Sequence, residues 1–420
     1  MKGRMTAALV MMCCSATSPA LQPIDDLYWP ETGKFPGYPA EPDERKVRFS
    51  IFGGIDRDSN LFRLSDRVDP QTAIGSTEKA DTLSRLGVGL KADLPASRQR
   101  LVLDLQAVMH DYNRFDLLDH NEYLASGTWK WQAGSNWSGD AGYAKRRYLS
   151  PLSEIQAPIK DMVTEDRAFF GAGFMLTPRW KLRGAADWIK WDHDEPTRDS
   201  LDARIVSGTV GLDYVTPPGN YVGGQFKYSD GEYPHQEPVA GGFVDNRFKE
   251  YEASLVAHWI ATGKSSFDAR AGYTSRQHDQ LPQRDFDGFT GRLNYDWYIA
   301  SKTLLNFAIW RELRSSEDIS ASYVLAEGWS VGPAWAPTSK IVLQARYIRE
   351  DRDYRGDPGF VLTGGTQRED TFRGIYLSAG YTPRRNIRLS LEIERGNRDS
   401  NTLNRDYDYS AVSGNAKIRF

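Results

Sequence analysis

Along residues 406–420, every second residue is small or apolar and the residues between them are polar. The apolar set is Val412, Gly414, Ala416 and Ile418, and the polar set is Ser413, Asn415, Lys417 and Arg419. Successive side chains of a β-strand point to opposite faces. This pattern therefore predicts a membrane β-strand with one face toward lipid and the other toward water.

The same alternation recurs in residues 101–109, 289–299 and 387–394. In the last of these, Leu389, Leu391 and Ile393 alternate with Arg388, Glu392 and Glu394, and we expect the first set to face lipid. A soluble β-sandwich also alternates, but its strands average about 5–6 residues, whereas these stretches reach about 10. Their length favours a membrane barrel.

Short turn sequences punctuate the chain at intervals of roughly 40 residues, which suits two membrane strands and one long loop. They lie at residues 94–97, 133–136, 177–179, 216–219, 261–263, 300–302, 337–339 and 382–384. Polar stretches suited to extracellular loops include residues 56–80, 147–166, 230–246 and 353–368. Eight periplasmic turns connect sixteen strands, and the terminal stretches 47–55 and 406–420 bring the total to about 18. We expect a transmembrane antiparallel β-barrel with short periplasmic turns and long extracellular loops.

Composition excludes the other membrane class. The chain has 26% charged residues and contains no apolar stretch long enough for a membrane helix, which needs about 18 residues. Strands that show lipid only alternate side chains keep mean hydropathy low, here −0.57. The 12 Trp, 21 Tyr and 18 Phe are enough for two interfacial girdles.

The two ends of the chain predict its destination. Residues 1–20 resemble a signal peptide, with Lys2 and Arg4 before an apolar run. Residues 21–46 are rich in proline and predict a periplasmic leader, either flexible or serving as a plug or docking arm. Residues 47–420 would form the barrel. Its terminal aromatic, Phe420, resembles the signal by which the barrel-assembly machinery recognises outer-membrane strands, so we expect localisation in bacterial outer-membrane lipid.

A barrel of about 18 strands is wide enough for a water-filled passage. Charges of both signs and some aromatic side chains fall on its predicted inner wall. Either these residues solvate the pore and pair with one another, or they guide a polar polymer, with arginines on acidic groups and aromatic rings on sugar faces. The candidate substrate-guiding residues are Arg183, Arg270, Arg292, Arg346, Arg388, Asp104, Trp191, Tyr298 and Trp310.

Patterns typical of calcium, metal or catalytic sites are incomplete in this sequence. The run that begins at Asp56 and Asp58 lacks the glycine and the terminal glutamate of a calcium loop. The six histidines are dispersed without metal-ligand spacing, and no catalytic constellation accompanies them. Cys13 and Cys14, the only cysteines, lie in the signal peptide. We therefore predict no catalytic residue, no metal or cofactor and no enzyme activity. Loss of Lys2 and Arg4 changes the net charge from −3 to about −5, which argues against a nucleic-acid partner.

Two motifs resemble a known family. The segment F-S-I-F-G-G-I-D-R-D-S-N-L-F-R-L-S-D (residues 49–66) and the tryptophan-rich W-K-W-Q-A-G-S-N-W-S-G-D-A-G-Y (residues 129–143) are similar to EpsL-type outer-membrane proteins of exopolysaccharide biosynthesis operons. The resemblance implies a β-barrel that takes part in exopolysaccharide export, alongside periplasmic export components, and implies no catalytic residues.

We therefore expect an outer-membrane channel component for exopolysaccharide export. The alternatives are a diffusion porin or nutrient-specific channel for small solutes and, less favoured, a barrel enzyme or an adhesive or structural role. Within the first motif, two arrangements stay open. The segment could fold inward and narrow the pore, or its apolar residues could pack on the barrel rim. The residues concerned are Asp58, Asn60, Leu61, Phe62 and Arg63.

Overall fold

A computed structural model describes residues 46–217, 219–239, 242–315, 323–355 and 367–420. The predicted signal peptide (1–20) and all but the last residue of the predicted leader (21–46) lie outside the described residues. Within the described part, no helix is long and apolar enough to cross a membrane.

The described chain is built almost entirely of long antiparallel strands. Eighteen of them form one sheet, and pairing between the first and the last strand closes it into a barrel. β10 and β11 form a separate two-stranded sheet within the loop after β9. This confirms the predicted fold. The strands are β1 Val47–Asp58, β2 Asp81–Ala96, β3 Gln99–Tyr112, β4 His120–Ala133, β5 Trp137–Leu149, β6 Met162–Thr177, β7 Trp180–His193, β8 Ala203–Val215, β9 Tyr221–Glu232, β10 Glu237–Val239, β11 Gly242–Val244, β12 Phe248–Thr262, β13 Ser265–His278, β14 Phe286–Ala300, β15 Thr303–Ser315, β16 Tyr323–Thr338, β17 Ile341–Arg355, β18 Glu369–Arg384, β19 Ile387–Ser400 and β20 Tyr407–Arg419.

The short connections lie where the turn sequences predicted them, but most begin a few residues later. β2, β16 and β18 continue through Pro95, Pro337 and Pro383, which the sequence placed in turns. The ladders of β16 and β18 shift register just before their turns. A bulge leaves a backbone position without a ladder partner, so proline, which has no N–H to donate, is tolerated at such a strand end.

The strands also extend further than expected at the opposite end. β1 ends at Asp58, so Asp56 and Asp58 belong to a strand and not to the predicted loop 56–80. The first three long loops are L1 (residues 59–80), L2 (residues 113–119) and L3 (residues 150–161), and L4 covers residues 194–202. Most of the predicted loop 353–368 lies outside the described residues.

Alternation assigns the two faces of the wall. Leu389, Leu391 and Ile393 of β19 are exposed on the outside, whereas Arg388 and Glu392 on the opposite face are partly covered. In the pairing registers, outward residues of one strand stand opposite outward residues of the next. The apolar face therefore meets lipid, and the polar face lines the lumen. Outward aromatic side chains cluster near the short turns, as an interfacial girdle requires; they include Trp129, Trp137, Trp180, Trp297 and Trp335.

Hydrophobic packing is concentrated at the loop end of the barrel. L1 contains helix α1 (Pro70–Ile74), whose first backbone N–H groups are capped by the side chain of Asp69, and L3 contains helix α2 (Leu152–Ile155). Side chains from L1, L2, L3 and the adjoining strand ends form one buried cluster, which we call the loop cluster. Its members are Phe62, Leu64, Ile74, Tyr112, Phe115, Leu118, Leu149, Leu152 and Met162.

Candidate functional site: a loop clasp and a charged lumen

L3 leaves the wall between β5 and β6 and bonds to residues far from its own strands. The Glu154 carboxylate in α2 accepts hydrogen bonds from Arg398 Nη1 (2.8 Å) and Arg368 Nη1 (3.4 Å). The backbone carbonyl of Glu154 accepts one from Arg405 Nη1 (3.0 Å). Asp370 ion-pairs with Arg368 and lies 3.6 Å from Arg398 Nε. We call these five residues the L3 clasp.

The position of the clasp shows that L3 crosses part of the barrel mouth. From β5, the pairing order around the ring is β4, β3, β2, β1, β20 and β19. Arg398 lies on β19, six strands from the root of the loop in a ring of eighteen. A bond over that distance can form only if L3 runs inside the mouth. The loop therefore narrows the passage that an 18-stranded wall would otherwise leave open.

L3 is also held near its root. Asp161, which is fully buried, accepts a hydrogen bond from Arg198 Nε of L4 (2.7 Å), and the backbone N–H of Ser150 donates to the carbonyl of Asp161 (2.8 Å). Leu152 packs in the loop cluster. With fixed points at its root, middle and tip, L3 is a rigid element of the mouth.

The segment of the first motif lies beside L3. Phe62 is 0% exposed in the loop cluster, with its ring edge-on to Phe115 at 4.8 Å, and Leu61 packs against the same cluster. Arg63 points the other way, to the inner wall. Its guanidinium ion-pairs with Asp58 (2.8 Å) and stacks 3.5 Å from the ring centre of Tyr409. The apolar part thus packs among the loops, and the charged part lines the mouth.

Asn60 joins this segment to β1 and β20, the two strands whose pairing closes the barrel. Its side-chain amide donates to the carbonyls of Leu64 (2.8 Å) and Asp408 (3.0 Å), and its backbone N–H donates to Asp58 Oδ1 (2.8 Å). The carbonyl of Arg63 accepts from the side chain of Gln156 in L3 (2.6 Å). L1 therefore supports L3 from the side of β1 and β20.

The clasp strongly favours the charged form of Glu154. Burial by itself would raise the pKa of this carboxyl, but the positive charges of Arg398, Arg368, Arg352 and Arg405 outweigh that effect and lower the pKa from 4.5 to about 2. A carboxyl with a depressed pKa stabilises the folded arrangement above its ordinary pKa. That contribution is lost as the pH falls through the depressed value.

We expect L3 to stay docked well below the pH at which ordinary glutamates titrate. Because L3 stays docked, single-channel conductance in a lipid bilayer should be nearly constant between about pH 7 and about pH 4. Release of the loop should begin only toward about pH 2. A step in conductance centred near the ordinary glutamate pKa would contradict this assignment. Tryptophan fluorescence recorded in parallel would separate loop release from acid unfolding of the barrel.

Further along the inner wall, from β12 to β15, charged residues pair with one another. Arg270 on β13 bonds to Glu252 (2.6 Å) on β12 and to Glu312 (3.1 Å) on β15. Arg292 on β14 shares Glu312 (3.2 Å). Each guanidinium thus links neighbouring strands through a carboxylate. We call this run of alternating charges, together with its continuation onto β17, the wall ladder.

The ladder continues to β17 through Glu350, which is 2% exposed. This carboxylate is 2.8 Å from Arg314 Nη1 and 2.7 Å from Arg352 Nε, and it also accepts the indole N–H of Trp310 (2.8 Å). Arg352 also contributes to the positive field around Glu154. The wall ladder and the L3 clasp are therefore close enough at the mouth for their charges to interact.

All nine candidate substrate-guiding residues lie on the inner face by strand parity. Arg183 pairs with Asp213 (2.5 Å) and Arg346 donates to Ser330 (3.2 Å). Asp104 pairs with Lys91 (3.2 Å). Their placement agrees with the sequence, but their contacts are largely with other wall residues; a role in guiding a substrate stays a prediction. The nine are Arg183, Arg270, Arg292, Arg346, Arg388, Asp104, Trp191, Tyr298 and Trp310.

The three aromatic members contact other residues of the wall. Trp310 is 4% exposed, covered by Arg292 and bonded to Glu350. Trp191 donates its indole N–H to Glu165 (2.8 Å). Tyr298 packs against the buried cluster of Leu304, Ala334, Ala336 and Val342. Because Trp310 is buried in this arrangement, a stacking role would require its neighbours to move, and that role stays a prediction.

In four ion pairs of the wall, the cation is more exposed than the carboxylate. The Arg183 side chain is 31% exposed and its partner Asp213 only 4%, and Arg314 is 30% exposed against 3% for Glu350. Arg292 and Lys91 are likewise more exposed than their carboxylate partners. In these pairs the carboxylate lies behind the cation. The water-filled side of these pairs is therefore positively charged.

Sequence reasoning missed the residues that shape the mouth. Glu154 lies in a polar loop and Arg398 near a strand end, more than two hundred residues apart along the chain. Local pattern gives neither residue a distinguishing feature. Their functional meaning depends on the closure of the barrel, which brings β19 within reach of L3.

The histidines were also misjudged in part. The expectation that they are dispersed fails for His110 and His120, which stand opposite each other in the pairing of β3 with β4. Glu122 follows on the same face, and one ligand atom from each of the three residues lies within 4.8 Å of the others. Strand pairing, and not sequence spacing, makes this group.

Comparison with known proteins adds one sequence match. A family model described as "Putative beta-barrel porin 2" matches residues 259–420, from the end of β12 to the C-terminus. No curated protein matches the chain. The chain is therefore an 18-stranded antiparallel β-barrel whose C-terminal part is similar to a porin family.

Several solved structures resemble the chain at 10% sequence identity. The match to OpdK from Pseudomonas aeruginosa, solved with vanillate, spans 89% of this chain and 99% of the OpdK chain, with a TM-score of 0.48. The match to OccK2 (OpdF) from the same organism, in complex with glucuronate, spans 89% of this chain and 98% of the OccK2 chain, with a TM-score of 0.49. OccAB3 from Acinetobacter baumannii covers 89% and 98% at 0.48. Neither the family model nor these three structures are described as exopolysaccharide-operon proteins, so the EpsL-type resemblance rests on the two sequence motifs alone.

Proposed function

We propose that this protein is an outer-membrane channel for the diffusion of small polar solutes, with a preference for anions. The observation that carries the proposal is L3, which is fixed across the mouth by the buried Glu154–Arg398 contact. A passage narrowed by a rigid loop admits small solutes and holds back large ones. No step of catalysis is involved.

The anion preference follows from the accessible charges of the wall. In four wall pairs, among them Arg183–Asp213 and Arg314–Glu350, the cation is more exposed than its carboxylate partner. Charges in a narrow, low-dielectric passage raise the local concentration of ions of opposite sign. Guanidinium groups also bind carboxylates in a bidentate geometry. Small carboxylates are therefore the solute class that this lumen suits best.

Export of an exopolysaccharide is the second candidate, favoured by the two motifs at residues 49–66 and 129–143. In that case the polymer would pass the mouth beside L3, and periplasmic export components would be the partners. The buried clasp and the absence of an accessible ring at Trp310 weigh against a polymer track. We therefore rank export below solute diffusion.

Two measurements separate the candidates. Purified protein in planar bilayers should conduct ions, and reversal potentials in a salt gradient should show anion selectivity. In cells, deletion of the gene should slow the uptake of small carboxylates and leave secreted polymer unchanged. Absence of conductance, or a loss of secreted polysaccharide at normal outer-membrane protein levels, would overturn the diffusion proposal.

Neutralising two lumen arginines should reduce the anion preference. Arg292→Gln with Arg346→Gln removes two inward cations, and the fold should tolerate the change because Glu312 keeps Arg270 as partner and Arg346 bonds to a neutral Ser330. We expect the anion-to-cation permeability ratio to fall by about two- to fivefold, since each lumen charge scales local ion concentrations.

Arg349→Gln provides the matched control. Arg349 lies on β17 like Arg346 but faces outward, 3.6 Å from Asp351, so its loss should leave selectivity unchanged. Heat-modifiable migration in gels should be the same for all variants. An unchanged permeability ratio in the folded double variant would show that the wall cations do not set selectivity.

A further inference from the structure

His110, His120 and Glu122 form a buried group at the loop end of the inner wall. The two histidines face each other across the β3–β4 ladder, and Glu122 is two residues along β4 on the same face. Their side chains are at most 7% exposed. Among the described residues this is the group of three potential ligands whose donor atoms come close enough for one metal ion.

The hydrogen bonds of His120 define its tautomer. Its Nδ1 lies 2.6 Å from the backbone carbonyl oxygen of Leu118. A carbonyl oxygen only accepts, so Nδ1 carries the proton, and in a neutral ring Nε2 then bears a lone pair. That Nε2 lies 3.1 Å from Glu122 Oε1. Two acceptors face each other at hydrogen-bond distance, which requires either an additional proton or a cation between them.

One additional proton between His120 and Glu122 would satisfy that contact, but it would leave the 3.7 Å approach of His110 Nε2 to Glu122 Oε2 without a hydrogen bond, and a second proton on His110 fits the surroundings poorly. The His110 ring stacks on the His120 ring with centroids 4.6 Å apart and planes 5° from parallel. Two imidazolium rings in that arrangement would place like charges in contact away from water. Arg85 stands opposite His110 in the ladder and adds a third positive charge, although its guanidinium ion-pairs with Asp56 (2.6 Å). A single ion that all three ligands share would satisfy both histidines and the carboxylate together.

We propose that His110, His120 and Glu122 bind one divalent transition-metal ion of the zinc type. Two imidazoles and one carboxylate are a donor set that Zn²⁺ and its neighbours accept. Ligands about 2.0–2.1 Å from a tetrahedral centre lie about 3.3 Å from one another. Glu122 Oε1 lies 3.1 Å from His120 Nε2, Glu122 Oε2 lies 3.7 Å from His110 Nε2, and one donor atom from each residue lies within 4.8 Å of the others, so the three side chains must draw together to bind the ion. The Leu118 carbonyl would orient His120 from behind, as outer-shell partners of metal-bound histidines do.

The ion would tie the strands to two loops of the mouth. Glu122 Oε1 also accepts the backbone N–H of Leu149 (3.1 Å), the residue immediately before L3. Leu118, which holds His120, lies in L2 and is a member of the loop cluster. A metal at this point would stabilise the root of L3 and the loop cluster. This role is independent of which solute the channel carries.

Zinc binding to the full-length folded barrel in detergent tests the proposal. After treatment with a chelator, Zn²⁺ is titrated by calorimetry against wild type, His110→Asn, His120→Asn, Glu122→Gln and His258→Asn. We expect one ion per wild-type chain and a loss of affinity of at least about tenfold in each ligand variant. His258 pairs with a single carboxylate, Asp268 (2.7 Å), so His258→Asn should bind like wild type.

A second measurement covers the case in which a ligand variant fails to fold. An ion that binds only the folded state raises the unfolding temperature of the wild-type barrel in proportion to the logarithm of its concentration. Zn²⁺ should therefore raise the unfolding temperature of the chelator-treated wild type, and Mg²⁺ should not. Wild-type protein that shows neither stoichiometric binding nor stabilisation, or ligand variants that bind Zn²⁺ as tightly as His258→Asn, would overturn the proposal.

Discussion

Replacing Glu154 with glutamine should release L3 from the far wall and give a larger and noisier single-channel conductance. The change removes the charge that Arg398 and Arg368 share, and the Arg398 side chain is 0% exposed. Removal of one partner from a buried ion pair costs about 3–5 kcal/mol. That energy corresponds to a factor of at least about a hundred in the ratio of released to docked loop.

The barrel itself should tolerate Glu154→Gln, because the hydrogen bonds of eighteen paired strands do not involve this side chain. Glu78→Gln is the matched control. Glu78 lies in L1 and pairs with Arg114 at 2.7 Å, but its side chain is 60% exposed, and exposed pairs contribute at most about 1 kcal/mol. A folded Glu154→Gln channel with wild-type conductance would show that L3 does not limit the passage.

Deleting Phe420, or changing it to serine, should sharply reduce the amount of folded protein in the outer membrane. Phe420 directly follows β20, which closes the barrel against β1. Its backbone N–H donates to the carbonyl of Phe49 (2.8 Å), and the two rings lie 6.0 Å apart. A barrel that does not close leaves two strand edges unpaired in lipid, where each unsatisfied backbone group costs several kcal/mol. We expect loss of the heat-modifiable form and a several-fold drop in membrane level.

Phe289→Ser separates a terminal assembly signal from a general effect of lipid-facing rings. Phe289 lies within β14 and is the more exposed of the two phenylalanines, so both variants remove an outward aromatic side chain. Recognition by the barrel-assembly machinery predicts a severe defect only at Phe420. Equal membrane levels of the two variants would show that position 420 has no special role in assembly.

The barrel was predictable because strand alternation is a local property. A lipid-facing residue such as Leu391 must be apolar and its neighbour Glu392 must be polar, whatever the rest of the chain does. Turn sequences then gave the number of strands. Turn positions were less accurate, because strands continue through prolines such as Pro383 where a bulge removes the need for a donor.

The sequence predicted which side chains face the lumen, but not their contacts there. Parity placed Arg183, Arg292 and Arg346 in the lumen, because orientation follows from the alternation alone. It could not show how these cations are paired or exposed. Trp310 illustrates the limit: its side chain points inward as expected, but it is covered by Arg292 and bonded to Glu350 of β17.

By itself, the sequence determined the barrel and the polar face of each strand, because these depend on residues that are adjacent along the chain. Only the tertiary structure decided the shape of the mouth. Barrel closure brings Glu154 to Arg398, and strand pairing places His110 beside His120. Such contacts join residues whose local patterns are independent, so they become visible only when the ring of strands is complete.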